Sequence, residues 1–217
     1  VNYMKQLLST TILLYFLSVS VVKANSYPEV IFDNSLVTGV YAKSMISYSG
    51  QSWVENVNKH LLVSDSLFFT PGNALSLRYK SAAAGNWEAD LLYSRQKMNY
   101  RVMESDFLVL KLYIKSAHTS KENLPNLSFK QRNNSSSVVK LGDYIDDLVS
   151  NQWISVKIPV SKFQGLIFDT PIRALSFAQA DSSNVFHELF LDQVEFQHKK
   201  TSAVKLSSPA ILTNATA

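Results

Sequence analysis

The segment Asp106-Phe107-Leu108-Val109-Leu110-Lys111-Leu112-Tyr113-Ile114-Lys115 puts Leu108, Leu110, Leu112 and Ile114 at alternate positions, with Phe107, Val109, Lys111 and Tyr113 between them. A period of two belongs to extended chain, whose successive side chains leave opposite faces. One face is wholly apolar and must be buried; the other is mixed. Similar short patterns recur at Glu29 to Asp33, Leu67 to Thr70, Ala74 to Lys80, Trp87 to Tyr93, Leu127 to Gln131, Val138 to Leu141, Trp153 to Pro159, Ile172 to Gln179 and Phe186 to Phe196. Turn-forming clusters separate them, among them Pro71-Gly72-Asn73, Ala84-Gly85-Asn86 and Asp181 to Asn184. No helical pattern is long enough to cross over a parallel sheet, so the expected fold is all-β, an antiparallel β-sandwich of the jelly-roll kind. Short helical turns fit Leu141 to Leu148 and Ser161 to Gly165.

The 217 residues are 46% apolar and 18% charged, enough for one substantial core, and cysteine is absent. Disulfide scaffolds, thiol catalysis and thiolate metal cages are thereby excluded. The formal charge of +4 is concentrated at the ends. Residues 1–24 hold Lys5 and Lys23 with no acid, and 198–217 hold Lys199, Lys200 and Lys205, which leaves 16 basic against 17 acidic residues between. That balance gives no overall nucleic-acid footprint.

Lys5 precedes an uncharged run from Gln6 to Val22, and Val22-Lys23-Ala24 offers a small-residue cleavage pattern. Residues 1–24 therefore read as a signal peptide with a short leader, and the mature protein as secreted or periplasmic, without stable membrane insertion. Residues 25–198 form the expected domain. From Lys199 the alternation gives way to Ser, Thr, Ala and Pro, so 199–217 reads as a linker toward a possible downstream module.

Several stretches resemble secreted, galactose-binding-like jelly-roll carbohydrate-binding modules of the type joined to glycoside hydrolases. They are Val30-Ile31-Phe32-Asp33-Asn34, Asn73 to Tyr79 followed by Gly85-Asn86-Trp87, Trp153-Ile154-Ser155-Val156-Lys157-Ile158-Pro159-Val160-Ser161-Lys162-Phe163, and Leu189-Phe190-Leu191-Asp192-Gln193-Val194-Glu195-Phe196. The resemblance spans residues 28–197 and implies binding of a polysaccharide or oligosaccharide beside a covalently linked catalytic domain. It also implies structural calcium held by Asp192 with Asp33. By parity Asp192 shares a stripe with Phe186, Phe190, Val194 and Phe196, where a carboxylate requires a partner. Capping of loop amides, or pairing with Arg173, would satisfy it equally.

A sugar site needs planar apolar surfaces for pyranose C–H faces and polar groups for hydroxyls. Trp53 and Trp87, each among polar neighbours, are the first candidates, with Tyr48, Tyr79 and Tyr93 second. Alternation turns Arg78 and Asp90 away from the core, and Arg95 falls at a rim. Aromatics in a sandwich are more often core than platform, and Trp153, at the head of its strand, is assigned to the core. His60, His118 and His198 are assigned to the surface.

No catalytic residue is nominated. There is no G-x-S-x-G elbow, and His187-Glu188-Leu189-Phe190-Leu191 lacks the second histidine of a zinc helix. Glu188, Asp192 and Glu195 lack the E-x-D-x-x-E spacing of retaining jelly-roll glucanases. Tyr113 and His118 make no convincing lyase pair. The expectation is a noncatalytic glycan-binding module. The alternative is a β-sandwich glycoside hydrolase or polysaccharide lyase whose site residues meet only in three dimensions.

Overall fold

Two antiparallel sheets pack face to face in a computed structural model that describes residues 29–92, 102–168 and 170–198. Residues 1–24, Tyr93, Arg95 and 199–217 lie outside the described residues. The strands are β1 (Val30–Phe32), β2 (Val40–Tyr41), β3 (Ser44–Gly50), β4 (Trp53–Val54), β5 (Leu61–Ser64), β6 (Ala74–Ala82) and β7 (Gly85–Leu92), then β8 (Phe107–Ile114), β9 (Asn126–Lys130), β10 (Val139–Lys140), β11 (Trp153–Pro159), β12 (Ala174–Ala178) and β13 (Ser183–Gln197). The larger sheet runs β11-β8-β13-β6-β5-β2, with β1 against β13 and β4 against β6; the smaller runs β10-β9-β12-β7-β3. Helical structure among the described residues is limited to 3-10 turns at Lys121–Asn123, Leu141–Tyr144 and Val160–Lys162. The all-β sandwich expectation holds.

The apolar face of β8 does what its period dictates: Leu108, Leu110, Leu112 and Ile114 are fully buried. They meet Leu189 and Leu191 of β13, Val156 and Ile158 of β11, and from the smaller sheet Leu127, Phe129, Leu175 and Phe177. Each fully buried aliphatic or aromatic side chain contributes ~1.5–3 kcal/mol, so the inter-sheet layer is the main stabilising term.

Four strands, β2 to β5, form in a stretch whose sequence carries no clear apolar alternation. Leu67 to Thr70, expected as a strand, is instead part of a loop whose Phe68 and Phe69 are exposed. The closing strand also departs from simple parity. Its register shifts between Asp192 and Glu195, with Gln193 at φ +46°. This β-bulge inserts one residue and exchanges the faces. Phe186, Glu188, Phe190 and Asp192 consequently lie on the outer side, while Val194 and Phe196 enter the core.

The crossover from the smaller to the larger sheet fixes Trp53. Gly50 turns at φ +59°, and a Cβ there would stand 1.8 Å from the carbonyl oxygen of Ala84, so only glycine fits. Ser52 then anchors the chain: its hydroxyl receives the Ala82 N–H at 3.0 Å and donates to Gln179 Oε1 at 2.7 Å. The next residue, Trp53, pairs with Lys80 of β6 on the outer face of the larger sheet.

Candidate functional site: the outer faces of the sandwich

The sequence candidates separate into core and surface. Trp87 and Tyr79, expected as platforms, are 1% and 0% exposed. Their rings stack across the gap between the sheets, centroids 4.6 Å apart at 37°. The indole N–H of Trp87 donates to Ser81 Oγ at 3.0 Å, and the Tyr79 hydroxyl to the Asn123 carbonyl at 2.8 Å. Both occupy inward positions of their strands and satisfy their polar atoms internally, so neither offers a face to a sugar. Burial also pushes the Tyr79 phenol well above its ordinary pKa, with the charge of Asp181 adding to the effect.

His187, buried beside Tyr79 at 5.3 Å between centroids, belongs to the same interior group. Its Nδ1 lies 2.9 Å from Thr119 Oγ1. Burial lowers its pKa below the ordinary histidine value; Asp181 acts in the opposite sense and His118 reinforces the lowering.

On the outer face of the larger sheet the structure brings Trp53 and Arg78 together. The Trp53 ring meets Phe186 edge-on, with centroids 5.6 Å apart at 83°. Phe186 is 45% exposed. The Arg78 guanidinium lies 5.3 Å from the Phe186 centroid and 4.0 Å from Glu55 Oε1, and Lys80 Nζ lies 5.6 Å from the same ring. Phe186 was missed because the bulge downstream hides which parity faces outward.

Trp153 corrects a second expectation. Its strand buries Val156 and Ile158 but turns Trp153, Ser155 and Lys157 outward. The half-buried indole packs against Tyr113 at 5.4 Å and against exposed Phe69 at 5.9 Å.

Asp90 does point away from the core but is only 4% exposed and is not free to receive a sugar. It lies on the outer face of the smaller sheet with Glu88, and Lys130 Nζ reaches both, 2.7 Å to Glu88 Oε2 and 2.9 Å to Asp90 Oδ2. Ser176 donates to Glu88 Oε1 at 2.6 Å. Burial acts to lower the Lys130 pKa, but its hydrogen bonds to Glu88 and Asp90 outweigh this and the net shift is upward. Two carboxylates share one ammonium, and Asp90 Oδ1 stays buried without a hydrogen-bond partner. Tyr48, exposed on β3 of the same sheet, faces Trp87 in register without joining Trp53.

Asp192, expected to hold calcium with Asp33, is engaged by backbone amides. Asp192, 0% exposed, receives the N–H groups of Phe69 and Thr70 on Oδ2 at 2.8 Å each, and that of Gln193 on Oδ1 at 2.7 Å. Desolvation raises its pKa, only partly opposed by these amides, and repulsion from Asp33 adds to the rise. Among the described residues no group of three or more His, Asp or Glu could hold a metal. Capping of loop amides is the alternative that the geometry favours. Arg173 takes no part in it. Among the described residues no helix is long and apolar enough to cross a membrane.

No family model matches the chain. Over a 222-residue alignment covering 99% of the chain, it is 30% identical to the exo β-1,2-glucooligosaccharide sophorohydrolase (non-reducing end) of Parabacteroides distasonis. The chain spans 30% of that protein's length. The crystal structure of a β-1,2-glucanase from Parabacteroides distasonis superposes with a TM-score of 0.73 at 28% identity, over 79% of this chain and 25% of that one. A family 30 carbohydrate-binding module from a cellulosomal cellulase of Clostridium thermocellum superposes with a TM-score of 0.61 at 14% identity, over 79% of this chain and 98% of the module. The fold is that of a jelly-roll carbohydrate-binding module. The expected resemblance therefore stands at the level of architecture.

Proposed function

We propose that this chain is a noncatalytic glycan-binding module of an exported carbohydrate-active protein, and that it holds β-1,2-linked glucan on the Trp53–Phe186 face. The observation that carries the reading is the ring pair itself: a half-buried indole fixed against an exposed phenyl, with Arg78 and Glu55 beside them. The rings can receive the C–H face of a pyranose, and the guanidinium and carboxylate supply a donor and an acceptor for its hydroxyls. The names of the two Parabacteroides distasonis proteins supply the choice of glucan, and their greater length supports a linked catalytic domain.

Each sugar hydrogen bond contributes ~0.5–1.5 kcal/mol net, and a small preformed surface makes few of them. Affinity in the micromolar to millimolar range follows unless repeated units add avidity. The test is affinity electrophoresis of the chain through gels containing β-1,2-glucan, with cellulose and β-1,3-glucan derivatives alongside, combined with a reducing-end assay. Retardation by β-1,2-glucan without new reducing ends is expected. Unaltered mobility contradicts the binding reading, and new reducing ends replace it with the hydrolase alternative.

A further inference from the structure

At one end of the sandwich, the 3-10 turns Lys121–Asn123 and Leu141–Tyr144 and the loop between β12 and β13 surround a cavity of about 350 Å3. Its polar walls are Lys121, Glu122, Asn126, Lys140, Asp143 and Asp181, and among the described residues no aromatic ring lines it. The two turns are pressed together at Gly142, where a Cβ would collide with the Lys121 carbonyl, so backbone contact sets this part of the wall. Asn126 and Lys140 are cross-strand partners on β9 and β10, and the burial of Leu127 and Val139 beside them turns both outward. The cavity thus borders the outer face of the smaller sheet, whereas Trp53 and Phe186 stand on the larger one.

Lys140 and Asp143 have no ion-pair partner among the described residues. Asn126 donates from Nδ2 to the Gln179 carbonyl at 3.0 Å, and Asp181 Oδ2 accepts from Asn123 Nδ2 at 2.7 Å, but the Oδ1 atoms of both are buried without a hydrogen-bond partner. An acceptor withdrawn from water and left unpaired costs ~1–3 kcal/mol, which a donor entering from the cavity would recover. Burial acts to raise the Asp181 pKa, but hydrogen bonds from Ser183, Asn123 and Ser81 outweigh it and the net shift is downward, so the carboxylate is charged near neutrality. The ammoniums of Lys121 and Lys140 against the carboxylates of Glu122, Asp143 and Asp181 leave the walls with one net negative charge.

We propose that this cavity is a second carbohydrate subsite, which takes one neutral pyranose unit through hydrogen bonds to its hydroxyls rather than through ring stacking. A hydroxyl both donates and accepts, so it can serve Asn126 Oδ1, Asp181 Oδ1 and Asp143 as a donor and Lys140 as an acceptor. The net negative charge of the walls disfavours an acidic sugar. A bare metal ion is disfavoured by the two ammoniums, and no group of three or more His, Asp or Glu among the described residues could hold one. The choice of glucose as the pyranose rests on the glucan reading above; the preference for a neutral polyhydroxyl does not.

The test is amide NMR of the full chain titrated with sophorose, the β-1,2-linked glucose disaccharide, in the unmodified protein, Trp53→Ala and Lys140→Ala/Asp143→Ala. Saturable shifts of the Asn126, Gly142 and Asp181 amides are expected in the unmodified protein and in Trp53→Ala, with affinity weakened about tenfold in the double variant. Retention of the thermal transition establishes that the variants fold, and Asn126→Ser, measured in the same way, carries the same expectation should the double variant fail to fold. Cellobiose is titrated beside sophorose: cavity shifts with cellobiose alone uphold the subsite and contradict the choice of β-1,2-glucan. No cavity shifts with either disaccharide, cavity shifts that disappear with Trp53→Ala, or unchanged affinity in the double variant each overturns the proposal. Equal cavity shifts produced by glucuronate or by calcium overturn it too, because they mark a charged ligand. Shifts confined to the Trp53 and Phe186 amides overturn the subsite and leave the ring-pair reading intact; shifts confined to the cavity do the reverse.

Discussion

A single oxygen of Asp192 receives the amide hydrogens of Phe69 and Thr70, both at 2.8 Å, across more than 120 residues of sequence. This pair of bonds ties the loop after β5 to the closing strand and sets Phe69 beside Trp153. Asp192→Ala leaves those amides without their acceptor, and the expected loss is about 2–3 kcal/mol in urea unfolding. Calcium or a chelator should leave the thermal transition of the unmodified chain where it is. A calcium-dependent rise would show that a cation, rather than the amides, satisfies this carboxylate.

Trp87 and Trp53 should respond oppositely to truncation. Trp87→Ala removes a fully buried indole that spans both sheets, and a destabilisation of about 3–5 kcal/mol is expected, with unchanged glucan affinity in whatever fraction stays folded. Trp53→Ala should cost about 1–2 kcal/mol of stability, because its ring is only partly covered. Denaturation curves of the two variants check the ordering; equal losses would contradict the assignment of one ring to the core and the other to the surface.

His187 makes stability depend on pH. Because burial lowers its folded-state pKa, the unfolded chain takes up the proton first as pH falls below about 6.5. Its contribution is therefore fully present above that pH and is lost on acidification toward the lower folded value. Asp181 attracts the proton and softens the effect, while His118, 5.4 Å away between ring centroids, adds repulsion when charged. His187→Asn should flatten the decline in melting temperature between about pH 6.5 and 5. An unaltered slope would place the titrating group elsewhere.

The sandwich was legible because β8 buries one complete parity and β11 sets buried Val156 and Ile158 against outward Ser155 and Lys157, and alternation needs no knowledge of the partner sheet. Ser44–Gly50 escaped notice because it is rich in serine and exposed over most of its length as an edge strand, so it has little apolar signal. Phe68 and Phe69 misled in the opposite sense: two exposed rings in a loop resemble a buried run when only composition is visible. The site was less legible still. Trp87 and Trp53 both stand among polar neighbours in sequence, yet the first faces the opposing sheet and the second follows a crossover fixed by Gly50 and Ala84. Phe186 depended on the bulge at Gln193, and the Lys130 cluster joins residues that adjoin only through β12, which lies between β7 and β9.

Isothermal titration of a β-1,2-glucooligosaccharide into the unmodified chain, Trp53→Ala and Phe186→Ala addresses the central claim most directly. A saturable isotherm that weakens about tenfold in each variant, or ~1.4 kcal/mol, is the expected result, with melting temperatures showing that both variants fold. Binding of equal strength in all three proteins, or none in the unmodified chain, would contradict it.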